Sequence, residues 1–277
     1  MSELKSMLLH LDASANSAAR LELGRRLAQA HAAQLDVLYA VLPALLQYPF
    51  AFTGDAQAVT LLMKHEAAQR ELAKAAFEHE RSRGDQSCTV TWSETSDEPV
   101  HAFIHQAWAS DLLLLAQHDP APKAYSGVPP DFTTAVLLGS GKPGLVMPYI
   151  GGGATLGDNV LVAWKPTAES ARAVTAALPI LQRARQVHVA FWDEAGGTPS
   201  PLAIEAYLHR HGIAATLHRV GRPTRDLGEL LLSKAADLQA DLLVMGCYGH
   251  GRAREWVLGG VTRTVLNSMT LPVLFAH

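Results

Sequence analysis

Between Met245 and Leu266 the sequence reads MGCYGHGRAREWVLGGVTRTVL, at the end of the apolar run ADLLVM. Glycines recur at Gly246, Gly249 and Gly259, a Gly-x2-Gly-x9-Gly spacing, and Gly260, Val261 and Thr262 follow. Glycine accepts positive φ and lets backbone approach a ligand closely. A helix opening at 259–261 would aim unpaired N–H groups and the positive end of its dipole at whatever lies in front of it. That is the chemistry of a phosphate cradle. The His250 backbone lies on it, and Arg252, Arg254 and Arg263 add positive charge nearby. Any one of these glycines is explained as well by a strand-to-helix turn; three at this spacing are more specific.

Other chemistry-bearing residues are weaker. In LLGSGKPG, a P-loop would need a glycine five positions before the Gly-Lys pair and a Ser or Thr after it, but Val136 and Pro143 stand there. A helix cap or strand-entry turn is the simpler role for Gly139 and Ser140. Among 13 histidines, His101 and His105 would share a helix face. Catalytic zinc usually takes three protein ligands, so exposed helix histidines are preferred and no metal site is expected. Cys247 lies near arginines and a helix start, conditions that lower a thiol pKa, although burial as a small packing residue is favoured. Trp164 and Trp192 end strands and are read as packing residues. No Ser-His-Asp order, carboxylate pair or nucleophile elbow is identifiable, so no catalytic residue is assigned.

The elements that must position these residues occur twice. MLLHLDASANSAARLELGRRLAQA from Met7 and VLVAWKPTAESARAVTAALPILQRA from Val160 both read as strand, polar turn and Ala/Leu helix. SDLLLLAQ, with Asp111, matches ADLLVMGC, with Asp241, and KPGLVMP matches LPVLFAH. The first half is longer in its middle, where 42–84 reads as a loop and a long helix; the second half reaches SPLAIEAYLHRHG sooner. YIGGGATLGD, Tyr149–Asp158, reads as a linker, giving domains at 1–150 and 158–277. In the second half strands are expected near 160–164, 187–191, 214–219, 241–246 and 271–275, and helices near 168–184, 200–211, 225–239 and 260–268. Continuous apolar strands alternating with helices imply a doubly wound parallel sheet with right-handed crossovers. Pro99 and Pro201 suit first helical turns. In such α/β folds ligands bind beyond the carboxyl ends of the strands where strand order reverses. That point lies between the first and fourth strands of a half if the two are neighbours.

The glycine spacing, the AW strand followed by ESARAV, and the ending LPVLFAH resemble the universal stress protein family in a tandem two-domain form covering essentially the whole chain. The resemblance implies two Rossmann-like domains (adenine nucleotide alpha hydrolase-like), each with a five-stranded parallel sheet of order 3-2-1-4-5. In one branch it implies an adenine nucleotide of the ATP type, with Mg2+ as a companion, over the glycine loop. By the same resemblance the nucleotide residues of the C-terminal domain are Gly246, Gly249, His250, Gly259, Gly260, Val261, Thr262 and Lys165. The N-terminal remnant is Asp12, Gly139 and Ser140, the latter two corresponding to the last glycine and hydroxyl of the motif. The chain departs from the pattern where Gly260 replaces Ser or Thr, and where Lys165 replaces the Asp that ends the first strand. Lysine cannot accept a hydrogen bond from a base or ribose. Asp12 keeps that Asp in the first half, but the glycine loop there has become Gln117-His118-Asp119-Pro120.

With 277 residues, 48% hydrophobic and 18% charged, the chain can bury a sizeable core. A net charge of -3 gives no reason to expect nucleic acid as a partner, and no apolar run approaches the length of a membrane span. Two distant cysteines, Cys88 and Cys247, offer no disulfide framework, so the cytoplasm is the expected compartment. The leading expectation is a stress-response binding protein, its halves packed through GLVMP and PVLFAH as a pseudo-dimer; further homodimerisation and protein partners stay open. The alternatives are a nucleotide-free interaction scaffold and, last, a slow ATPase, for which Asp193 and Glu255 are the only nearby carboxylates.

Overall fold

The computed structural model describes residues 3–43, 46, 56–83, 88–121, 127–151, 153, 155–192, 202–220, 226–247 and 260–277. They form two compact units, one running from Leu4 to Lys142 and the other holding Pro143–His277. In the first, β1 (Ser6–Leu11), α1 (Ser17–His31), β2 (Gln34–Tyr39), α2 (Ala56–Arg83), β3 (Val90–Glu94), α3 (Pro99–Ala107), β4 (Leu112–Ala116) and α4 (Phe132–Gly139) follow one another. β1 pairs with β2 and β4, and β2 with β3, all in parallel, so the order is 3-2-1-4. Apolar runs such as Met7–Leu9 and Leu112–Leu115 are buried throughout, as strands covered on both faces must be.

The second unit contains β5 (Gly144–Met147), β6 (Asn159–Trp164), α5 (Ala168–Leu181), β7 (Gln186–Phe191), α6 (Leu202–Arg210), β8 (Thr216–Arg219), α7 (Leu227–Asp237), β9 (Leu242–Gly246), α8 (Gly260–Ser268) and β10 (Val273–Ala276). β8-β7-β6-β9-β10 is the parallel 3-2-1-4-5 order. β5, the closing strand of the first sequence half, joins this unit by pairing antiparallel with β10, Val146 opposite Val273 and Leu145 opposite Leu274. These four side chains are fully buried, each burial contributing roughly 1.5–3 kcal/mol.

Local chemistry sets the ends of elements. Glu98 accepts hydrogen bonds from the N–H groups of Val100 and His101, with Pro99 in the first turn of α3 as expected. The repeated aspartates before the fourth strands clamp the start of the first strands: Asp111 accepts from Lys5 and Ser6 N–H, and Asp241 from Gly157, Asp158 and Asn159 N–H. They lie at the amino ends of the strands, away from the carboxyl-end crevice. Gly157 has φ +84, and a Cβ there would lie 2.6 Å from Ile180, so only glycine fits.

Candidate functional site

In the second unit the strand order reverses between β6 and β9, where Ala163 pairs with Met245. Lys165 follows β6 directly and is half-buried, its N–H donating to Ser170 Oγ at 3.3 Å. Thr167 caps α5 by accepting from Ser170 N–H. Gly246 closes β9 beneath that cap. A Cβ on it would stand 2.6 Å from the Glu169 carbonyl carbon and the Ser170 nitrogen, so the protein's own helix–strand packing already requires glycine there. Glu169, 3% exposed, brings a carboxylate to the same turn, with Arg172 at 3.9 Å.

Gly260 opens α8 and is exposed, with nothing within 4 Å of where a Cβ would be. Val261 is half-buried, Thr262 buried and Arg263 exposed. Thus Lys165 and Gly246 stand at neighbouring strand ends, and Gly260 to Thr262 form the positive end of α8. Gly249, His250, Gly259, Arg252, Arg254 and Glu255 lie outside the described residues, as does Asp193. Cys247 is buried, its N–H donating to the Ala276 carbonyl. Burial, reinforced by the charge of Glu169, pushes its thiol up to about 12. The packing reading favoured from the sequence therefore stands over the reactive one. Trp164 and Trp192 are half-buried.

The corresponding crevice of the first unit is closed from within. Asp12, 5% exposed, receives the Arg20 guanidinium at 2.5 Å and the Ser14 hydroxyl at 2.7 Å. Arg20 Nε also donates to the His10 carbonyl at 3.1 Å. Burial alone would raise the Asp12 carboxyl; Arg20, His10 and the Ser14 hydroxyl together hold it below the usual carboxylate range. The first strand's Asp is thus spent on an internal ion pair. In the degenerate loop, Gln117 is buried and Asp119 accepts from Ala121 N–H, a local turn.

One correspondence expected from sequence fails. Gly139 is the last residue of α4 and Ser140 its C-cap, whereas the last glycine and hydroxyl of the motif should open a helix. The positive end of α4 lies at Phe132, seven residues earlier. Gly139 and Ser140 sit at the negative end, which repels a phosphate. The cap role stands: Ser140 Oγ accepts from Lys142 N–H.

His101 and His105 are exposed on α3, ring centroids 6.5 Å apart. Among the described residues no three His, Cys, Asp or Glu side chains gather as a metal site. His188 and His218, not singled out by sequence, meet at 3.0 Å between Nδ1 and Nε2 on β7 and β8. Burial and then Lys234 lower both imidazoles. The internal repeat did carry a signal for the closed crevice: Asp12 and Arg20 in the first half align with Lys165 and Ala173 in the second. The acid and its partner change together.

No helix among the described residues is long and apolar enough to cross a membrane. Residues 157–277 match the family model of the universal stress protein family. No curated protein matches the chain by sequence. Among solved structures, a universal stress protein from Archaeoglobus fulgidus DSM 4304 superposes with a TM-score of 0.70 at 19% identity, over 98% of this chain and 97% of that one. A protein assigned to the same family in Pseudomonas aeruginosa UCBPP-PA14 gives 0.59 at 19% identity, over 99% and 93%. A protein of unknown function from Pseudomonas aeruginosa PAO1 gives 0.60 at 18% identity, over 99% and 92%. At these identities the likeness is one of fold. Residues 157–277 thus match the model of the universal stress protein family, and the chain as a whole shares the fold of the Archaeoglobus fulgidus structure.

Proposed function

We propose that the protein is a regulatory binding protein of the universal-stress type whose C-terminal domain takes an adenine nucleotide beyond the carboxyl ends of β6 and β9. One observation carries this reading: the domain that matches the family also has its strand-order reversal at Lys165 and Gly246, while the crevice of the other unit is filled by Arg20 and Asp12. The N–H groups at the start of α8 suit phosphate oxygens. Lys165 adds a cation where the family pattern has an acid, favouring phosphate over base at that corner. Any Mg2+ would enter with the nucleotide's own phosphates. The role is binding, with the first unit as a structural partner.

The test is to denature freshly purified protein, identify any released nucleotide by chromatography and mass spectrometry, and titrate the emptied protein with ATP, ADP and AMP with and without Mg2+. A stoichiometric adenine nucleotide or a saturable titration is expected. Since a side chain at Gly260 meets open space, Gly260→Ser should tighten binding about tenfold, the worth of one added hydrogen bond of about 1–1.5 kcal/mol. A second reading, the nucleotide-free scaffold, is favoured by buried Glu169, whose acidic side chain stands in the turn packed on Gly246. It predicts no nucleotide, no titration signal and no effect of Gly260→Ser.

A further inference from the structure

Helix α2 is much longer than its place in the fold requires. Its counterpart in the second unit, α6, has 9 residues; α2 has 28. Only Ala73, Phe77 and Glu80 of α2 are buried, so none of residues 56–72 is. Its ties to the unit lie in the middle and later turns, where Arg70 grips both Glu94 oxygens, Phe77 packs 5.2 Å from Trp92, and Glu80 faces Arg25. Helices in water owe most of their stability to burial of a face, and short unsupported ones are marginal. The solvent side of α2 has the pattern of a face to be covered. Leu61, His65, Ala68, Leu72, Ala75 and His79 recur at alternating spacings of four and three, a heptad seam. All six are exposed, Leu61 by 70% and Leu72 by 60%. Lys64, Glu71 and Glu78, also exposed, run beside the seam one heptad apart.

We propose that this face pairs antiparallel with the same face of a second copy of the chain, about a two-fold axis near Glu71. In that register Lys64 of each copy lies opposite Glu78 of the other. Leu72 packs on Ala68, His79 on Leu61 and His65 on Ala75, the alanines allowing close approach. Near the axis, Glu71 is already paired with Arg70 at 2.8 Å; Glu78 exchanges or shares the exposed Arg81, at 2.6 Å. A parallel two-fold pairing would instead set Lys64 beside Gln69 and Glu71 beside Ala76 of the other copy, so neither charge would gain an opposite partner. At 1.5 Å per residue the helix spans about 42 Å, and a strip about 10 Å wide removes roughly 800 Å² from water over both copies. That is the size of a transient interface, so reversible association in the micromolar range is expected, independent of any nucleotide.

Sedimentation velocity of the full chain, from low micromolar to several hundred micromolar, should show a monomer–dimer equilibrium. Leu61→Glu with Leu72→Glu should remain monomeric with an unchanged unfolding curve, both positions being exposed. Lys64→Glu should weaken association roughly tenfold, and adding Glu78→Lys should restore it. Under oxidation Glu71→Cys should cross-link to its own copy, with the wild type as control for Cys88 and Cys247. Lys64→Cys should not, because the two copies of residue 64 lie about 21 Å apart along the helices. A wild type that is monomeric at every concentration, a dimer that survives Leu61→Glu with Leu72→Glu, or equal cross-linking at 64 and 71 would overturn the proposal.

Discussion

At His10 the closed crevice of the first unit meets the apolar core. The imidazole is wholly buried, its centroid 4.2 Å from that of Phe132 and 5.7 Å from that of Phe103, with Nε2 2.8 Å from the Ala40 carbonyl. Burial lowers its pKa from 6.5 to about 4, against the opposing charge of Asp12. Between those values the unfolded chain binds a proton that the folded chain refuses, so stability is present above pH 6.5 and is lost as pH falls toward 4. From about pH 7 to about pH 5 the loss should be roughly 2 kcal/mol. Asp12, lowered in the fold, adds a further loss only below its unfolded value near 3.8. Urea unfolding at the two pH values checks this: His10→Gln should flatten the difference, and an equal difference in that variant would assign the effect elsewhere.

Between elements, the cap of α7 is tied to the second turn of α8. Asp226 caps α7 by accepting from Gly228 N–H at 2.7 Å, and its other oxygen accepts from the Thr264 hydroxyl of α8 at 2.7 Å. Thr264 comes so close that a Cβ on Gly228 would stand 2.8 Å from its own. Alanine normally favours a helix over glycine, yet here Gly228→Ala should destabilise by about 1–3 kcal/mol through overpacking. Because α8 begins with Gly260, Val261 and Thr262, the displacement should also weaken any nucleotide binding. Thermal unfolding and nucleotide titration of Gly228→Ala, alone and with Thr264→Ala to relieve the contact, measure both; a neutral single variant would show that the helices yield freely.

Over the whole molecule, the two sequence halves are not the two compact units, because β5 belongs with β10. A cut in the glycine linker strands β5 and bares β10 as an open parallel edge, a template for aggregation. A fragment of residues 143–277 should therefore melt about 5–10 °C above one of residues 158–277. Equal melting temperatures would mean that β5 contributes no protection. The same pairing explains why duplication within one chain suits this fold: the last strand of each half gives the other a neighbour.

Periodicity, breakers and repetition were sufficient for the alternation of elements. The strands expected at 160–164 and 187–191 appear as Asn159–Trp164 and Gln186–Phe191, and the helix expected at 260–268 as Gly260–Ser268. These features are local: an apolar run, a glycine or a cap acts on residues a few positions away. The repeat also identified which half had lost its glycine loop. What needed the tertiary structure was every contact made across elements. Arg20 reaching Asp12, the first turn of α5 resting on Gly246, and β5 crossing to β10 depend on which surfaces meet once the sheet is wound. Gly139 and Ser140 resembled the last glycine and hydroxyl of the motif because residue type does not say which end of a helix they occupy. A side chain's type and spacing decide what it can do; the packing of distant elements decides whether its partner is a ligand or the protein itself.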